Sequence, residues 1–167
     1  MRAERPTFAA VAEAELDSVY RYLLLMTGNP TLAEDLTSQT FEKALGWWRR
    51  FDHRRAAART WLCQIARTTA LDHFRAERRR RSREEAYSVE LPESEEPVFG
   101  GALSPPLAAA LQELSAGERE VIGLRVLLGL DGDAAARFLG ISQTACSTRL
   151  HRALQKLESK VSPDVLA

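Results

Sequence analysis

Apolar residues recur at intervals of three and four along both halves of this chain, and no strand-like alternation competes with them. Leu16, Val19, Tyr20, Leu23 and Leu24 predict a helix over residues 7–27, ended by Gly28-Asn29-Pro30. Thr31-Leu32-Ala33-Glu34 reads as a capping box with Thr31 as N-cap. It opens a second helix, from about Thr31 to about Arg49, with Leu32, Leu36, Phe41, Ala44, Leu45 and Trp48 as its apolar line. A loop from Asp52 to Arg59 precedes a third helix, read over Thr60–Arg78. In the second half, Leu107, Leu111 and Leu114 form a short apolar line, and Ser115-Ala116-Gly117-Glu118 is another capping box. Val121, Ile122, Leu124, Leu127 and Leu128 follow, and Gly129 closes that helix. Then come Asp133 to Leu139, a turn at Gly140-Ile141-Ser142, and a helix from Gln143 to about Lys160, which is the helix-turn-helix pattern. The expected class is all-α, with two small helical domains.

Charge divides the chain further. Between Arg49 and Arg83 lie twelve arginines, no lysine and three acids, a local excess of +9 in a chain of zero net charge. Guanidinium suits phosphate forks and base stacking, and Trp47, Trp48, Phe51, Trp61 and Phe74 are interleaved with it. Arginines with aromatics can hold a backbone and unstacked bases together. On a helical projection Trp61, Leu62, Ile65, Ala66 and Thr69 fall on one side, and Gln64, Arg67, Leu71, Arg75 and Arg78 on the other. This predicts a buried face opposed by a basic strip; the bland alternative is a solvated face. The second helix shows Glu34, Asp35, Ser38, Gln39 and Glu42, a face unsuited to DNA and readable as a protein docking site or as solvated surface. Residues 84–106 carry six acids and no base, with several prolines and glycines, which is linker composition. The expected division is 1–83, an acidic flexible linker at 84–106, and 107–167. On the last helix Cys146, Leu150, Ala153, Leu154 and Leu157 share one side, and Thr144, Ser147, Thr148, His151, Arg152 and Gln155 the other. Short polar donors and an arginine are what a base-reading face requires.

Several classes are excluded. No run of 18 apolar residues exists and the N-terminus lacks a signal-peptide core, so a cytoplasmic protein without membrane insertion is expected. Cys63 and Cys146 are far apart and expected reduced, and the three histidines show no zinc spacing with them, so neither a metal nor a cofactor is expected. No carboxylate pair sits beside a nucleophile, which argues against an enzyme. A stand-alone helix-turn-helix regulator would need a dimer interface, and no spare apolar stripe supplies one.

The two halves together resemble the extracytoplasmic-function sigma factors of bacterial RNA polymerase. The motifs are Gly28-Asn29-Pro30, Ala33-Glu34-Asp35-Leu36, Gln39-Thr40-Phe41, Arg50-Phe51-Asp52, Arg59-Thr60-Trp61-Leu62 and Ile65-Ala66-Arg67 in the first half. In the second they are Glu118-Arg119-Glu120-Val121, Leu139-Gly140-Ile141-Ser142 and Arg149-Leu150-His151-Arg152-Ala153-Leu154. The resemblance implies a sigma region 2 whose Asp35, Leu36, Gln39 and Phe41 dock on the clamp coiled coil of the polymerase's largest subunit. It implies that Arg54, Arg55, Arg59, Trp61, Gln64, Arg67, Thr68 and Arg75 take the melted −10 element. It implies a region 4 that uses the flap of the second-largest subunit, with Thr144, Ser147, Thr148, Arg149, His151, Arg152 and Gln155 on the −35 element. An anti-sigma factor is implied as a further partner, and the linker is expected in the polymerase's nucleic-acid channel. Relatives commonly carry Lys or Arg where this chain has Ser147, and Gly-Thr-Val where it has Thr144-Ala145-Cys146. Fewer charges there imply weaker phosphate anchoring and an unusual −35 sequence.

Overall fold

A computed structural model describes residues 6–85 and 103–161. The helices are α1 (Phe8–Thr27), α2 (Pro30–Trp47), α3 (Ala58–Glu85), α4 (Pro105–Gln112), α5 (Ala116–Ile122), α6 (Gly132–Leu139) and α7 (Gln143–Lys160). A 3-10 turn, Trp48–Arg50, follows α2, and a π turn, Gly123–Leu127, follows α5. No strand occurs among the described residues. Most of the proposed acidic linker, residues 86–102, lies outside them.

Local chemistry explains most boundaries. Gly28 ends α1 at φ 64°, a left-handed conformation that glycine adopts without a Cβ penalty. The expected cap of α2 is corrected. Asn29 is the N-cap, accepting from the Leu32 N–H at 3.1 Å, and Pro30 takes the first helical position. Proline holds its predecessor extended and has no N–H to leave orphaned, so Asn29-Pro30 starts the helix before Thr31 can. The second expected capping box is present: the Ser115 hydroxyl accepts from the Glu118 N–H, and the Glu118 carboxylate accepts from the Ser115 N–H.

α1, α2 and α3 pack as one bundle, α4 to α7 as a second, and one continuous apolar cluster runs through both. Leu23, Leu36, Leu62 and Ala66 centre the first bundle; Val121, Leu124, Ala135 and Cys146 centre the second. Three apolar assignments differ. Leu16 and Leu45 are exposed, Leu45 at 59%. Thr37 and Thr40 take the buried positions on α2, their hydroxyls donating to the carbonyls of Ala33 and Leu36 at 2.7 Å. On α7, Leu154 is likewise exposed.

The bundles meet where α5 and the π turn pack on α1. Tyr22 through Met26 are all buried, more than one face of a helix can bury against a single layer. Glu118, Arg119 and Glu120 are consecutive charged residues, each only 7% exposed. Each has partners. Glu118 accepts from Lys156 at 2.9 Å, and Glu120 accepts from the Tyr22 hydroxyl at 2.8 Å and from Arg67 Nε at 2.6 Å. Arg119 donates to the carbonyls of Leu25 at 3.0 Å and Leu114 at 2.7 Å. The Leu25 carbonyl lies in the last turn of α1, where no amide further along the helix is available.

Candidate nucleic-acid and docking interfaces

α2 offers its acidic face to solvent: Glu34, Asp35, Ser38, Gln39 and Glu42 are exposed. Leu36 is fully buried, and Phe41 is half-buried with its ring edge-on to Phe8. Of the four residues expected to dock, Asp35 and Gln39 therefore face outward, while Leu36 and Phe41 fix the helix beneath them. The face continues into a shallow groove between α1 and α2, lined by Glu13, Leu16, Asp17, Tyr20 and Glu34.

The basic side begins at the loop after the 3-10 turn. The Asp52 carboxylate accepts from the Arg54 N–H at 3.0 Å, and the Asp52 carbonyl from the Arg55 N–H at 3.0 Å. Both arginine side chains project into solvent. The loop is anchored by stacked rings: Trp48 on Phe51 at 5.3 Å and Phe51 on Trp61 at 4.5 Å, with Phe8 edge-on to Trp48 at 5.5 Å. The interleaved aromatics thus pack mainly against one another, and only Trp47 is largely exposed, at 48%. Along α3, Leu62, Ile65, Ala66 and Thr69 are buried, as the projection predicted. Gln64, Thr68, Arg75 and Arg78 are exposed on the other side. Two arginines of the expected set are held by acids from elsewhere: Arg59 by Glu15 at 2.6 Å, and Arg67 by Glu120 at 2.6 Å. Arg75 pairs with Asp72 at 3.1 Å on its own helix, an exposed and weak link.

α6 and α7 form the helix-turn-helix. Gly140 closes α6 at φ 67°, and the Ser142 hydroxyl caps α7 by accepting from the Ala145 N–H at 3.1 Å. Cys146 and Ala153 anchor α7 in the bundle. Thr144, Ser147, Thr148, His151, Arg152 and Gln155 all face solvent. Arg149 instead turns toward α5, where its guanidinium lies over Gly117, 3.3 Å from where a Cβ there would stand. Arg149 and Arg152 border one groove with Ser115, Ser142 and Thr148.

The Glu118 pair locks α7 to α5. Burial alone would raise the Glu118 carboxyl, but the Lys156 ammonium and the Ser115 groups outweigh it and hold it below the ordinary range. Burial also pushes the Cys63 thiol up to about 12, so it stays protonated at neutral pH. Both cysteines are buried and free. Among the described residues, no group of three or more His, Cys, Asp or Glu is placed to hold a metal, and no helix is long and apolar enough to cross a membrane.

An open helix-turn-helix face carried beside an arginine-lined helix defines a DNA-binding protein of the helix-turn-helix class. The Sigma-70 region 2 family matches residues 11–80, and the Sigma-70 region 4 family matches residues 106–157. The chain is 30% identical to the ECF RNA polymerase sigma factor SigM of Bacillus subtilis, covering 92% of this chain and 94% of that one. It is 32% identical to the ECF RNA polymerase sigma factor SigC of Mycobacterium tuberculosis, over 94% of this chain and 84% of that one. It is 31% identical to BldN of Streptomyces coelicolor over 96% of its length, but spans only 62% of that relative. The fold is similar to that of the sigma factor RpoE of Bartonella quintana, solved with the anti-sigma factor NepR, at a TM-score of 0.75, 24% identity, and 94% and 98% coverage. It is also similar to CnrH, solved with the cytosolic domain of CnrY, at a TM-score of 0.62, 25% identity, and 91% and 85% coverage. The chain belongs to the sigma-70 family of RNA polymerase sigma factors, in its extracytoplasmic-function branch.

Proposed function

We propose that this sigma factor docks on core RNA polymerase through the acidic face of α2, and reads promoter DNA through two separate surfaces. The observation that carries the proposal is the segregation of charge on one bundle. Asp35 and Gln39 stand exposed on α2, while Arg54, Arg55, Gln64, Thr68 and Arg75 stand exposed on the loop and on α3. A DNA surface and a protein surface with opposite charge cannot exchange partners, which fixes orientation. The first unit, 1–83, takes the clamp coiled coil and the −10 element. The groove holding Leu16 and Asp17 extends the clamp contact onto α1.

The second unit, 107–167, takes the flap and the −35 element. Thr144, Ser147, Thr148, His151, Arg152 and Gln155 reach base edges and phosphates, and Arg149 works from the side of the helix. With few cations on that face, free protein binds duplex DNA weakly and gains affinity through the polymerase. The residues at 84–106 join the units through the polymerase's nucleic-acid channel. The protein acts in the cytoplasm as a dissociable specificity subunit, with the polymerase supplying catalysis. The anti-sigma factor NepR, bound to the similar sigma factor RpoE, supports an anti-sigma partner here.

The test is run-off transcription with bacterial core polymerase on promoters from the source genome. Protein-dependent transcripts sharing start-site motifs are expected. Absence of both transcripts and co-migration with core would overturn the reading.

A further inference from the structure

We propose that Glu15 on α1 is a positioning residue for promoter binding, holding Arg59 of α3 by its Nε edge so that the rest of the guanidinium meets a phosphate beside the −10 element. This role belongs to the proposed −10 surface and rests on that reading. Glu15 Oε2 accepts from Arg59 Nε at 2.6 Å, across 44 residues of sequence. The Glu15 side chain is 17% exposed and the Arg59 side chain 42%, so the acid lies inside and the base outside. Among the described residues, nothing else bonds the Arg59 guanidinium. Nε carries only one of its N–H donors, and the Nη donors form the outward edge. Local packing explains the placement. Glu13, Leu16, Asp17 and Tyr20 line the groove toward α2, whereas Glu15 shares its side of α1 with the buried Val11, Val19 and Tyr22. Arg59 stands one turn before the fully buried Cys63. Burial raises that thiol most; of the two charges, Glu15 raises it and Arg59 lowers it, which puts the pair at the rim of the core.

A carboxylate beside a DNA surface costs some repulsion, so its presence needs an offsetting gain. Arg54 and Arg55, on the preceding loop, project into solvent. Binding must freeze such long side chains, and the lost rotamer freedom weakens each contact they make. Arg59 is already held, so its contact costs less to order. The Nε bond also fixes the plane of the guanidinium, and a fixed plane is what lets arginine meet phosphate through two parallel hydrogen bonds. Arg55 lies four positions earlier, so its Cα is within about 14 Å of that of Arg59. Mobile and held arginines therefore border the same stretch, the loop and the first turn of α3. Sequestration would be the opposite role, with the acid withdrawing Arg59 from DNA. A bond to one edge only, on an arginine more exposed than its acid, favours positioning.

A double-mutant cycle in the holoenzyme tests this. The probe is a labelled promoter fragment with a single-stranded −10 element, taken from a promoter that run-off transcription identifies. Fluorescence anisotropy gives its affinity at several salt concentrations, with co-migration with core and thermal melting of the free chain measured alongside. Arg59→Ala should weaken binding about tenfold and lower the salt slope by about 1. Glu15→Ala should weaken it about fivefold, the scale of ordering one long side chain, with core association unchanged. In the Arg59→Ala background the same change should cost nothing, because the acid then has nothing to hold. Glu15→Gln keeps an acceptor for Nε at the same reach and should recover most of the loss; it also replaces Glu15→Ala if that variant fails to fold. A role in stability alone would lower the melting temperature and leave the cycle without coupling. That result, or Glu15→Ala binding as tightly as wild type or more tightly, would overturn the proposal. Transcripts from wild type without coupling in the cycle would sink this role alone, whereas absence of transcripts and of core association would sink the sigma-factor reading with it.

Discussion

The indole of Trp61 lies stacked on the ring of Phe51, with centroids 4.5 Å apart and planes 28° from parallel. This contact holds the arginine loop from beneath, because Phe51 is buried and Trp61 begins the packed face of α3. Trp61→Ala should cost about 2–3 kcal/mol of stability, at or below the range for a fully buried aromatic since Trp61 is only partly buried. Chemical denaturation measures that cost. A variant with unchanged stability and a purely DNA-binding defect would show that the stack carries no load.

On α2, exposure separates roles that the motif joins. Asp35→Ala with Gln39→Ala should weaken association with core polymerase and leave the melting temperature within about 2 °C of wild type, since both side chains are solvated. Leu36→Ala should lower stability by about 2–5 kcal/mol, because the side chain is fully buried. Co-migration with core polymerase and thermal melting together check the pair.

Arg152 faces outward from α7 and is expected on a phosphate or base edge. Arg152→Ala should lower −35 DNA affinity of the holoenzyme. If the contact is to phosphate, the loss should be uniform across sequences and the salt slope should fall by about 1. If it is to a base, discrimination at one position should relax by about 1–3 kcal/mol. Binding titrations at several salt concentrations on a set of single-base variants decide between the two.

The Glu118 carboxyl is held below its ordinary value, so its contribution to stability is complete above the unfolded value of about 4.3. That contribution is lost as pH falls through the lower folded value. Wild type should therefore lose stability on acidification below about pH 4.3 more steeply than Glu118→Gln. Lys156→Met should remove part of the same dependence by taking away the ammonium at 2.9 Å. Urea melts between pH 3 and 6 measure this, and parallel curves for wild type and Glu118→Gln would count against it.

Helix positions and the helix-turn-helix were legible because period, caps and glycine stops act locally. The α2 start was misread because Thr31 to Glu34 satisfies a capping box as text, whereas Asn29-Pro30 wins on backbone geometry. The aromatics near the arginines were legible as a group, but composition cannot say whether rings face bases or each other. The packing of one half on the other was hidden for a similar reason. Nothing in Glu118-Arg119-Glu120 itself signals burial, and only partners distant in sequence make it possible. One signal was present: the unbroken apolar stretch from Tyr22 to Met26 is more than a single bundle needs.

Beyond Phe74, α3 continues to Glu85 with no fully buried residue among those whose side chains are described. Ion pairs along the helix support it there, with Arg80 and Arg81 on Glu77, and Arg80 reaching Glu84. Against them stand the mutually repelling Arg78, Arg79, Arg80, Arg81 and Arg83. Such a segment is marginal as an isolated helix, so its order is set by its ionic surroundings rather than by the core. Its amides should exchange with deuterium orders of magnitude faster than those near Leu62. A polyanion laid along it would slow that exchange, so that part of the free energy of binding goes into winding the last turns of the helix.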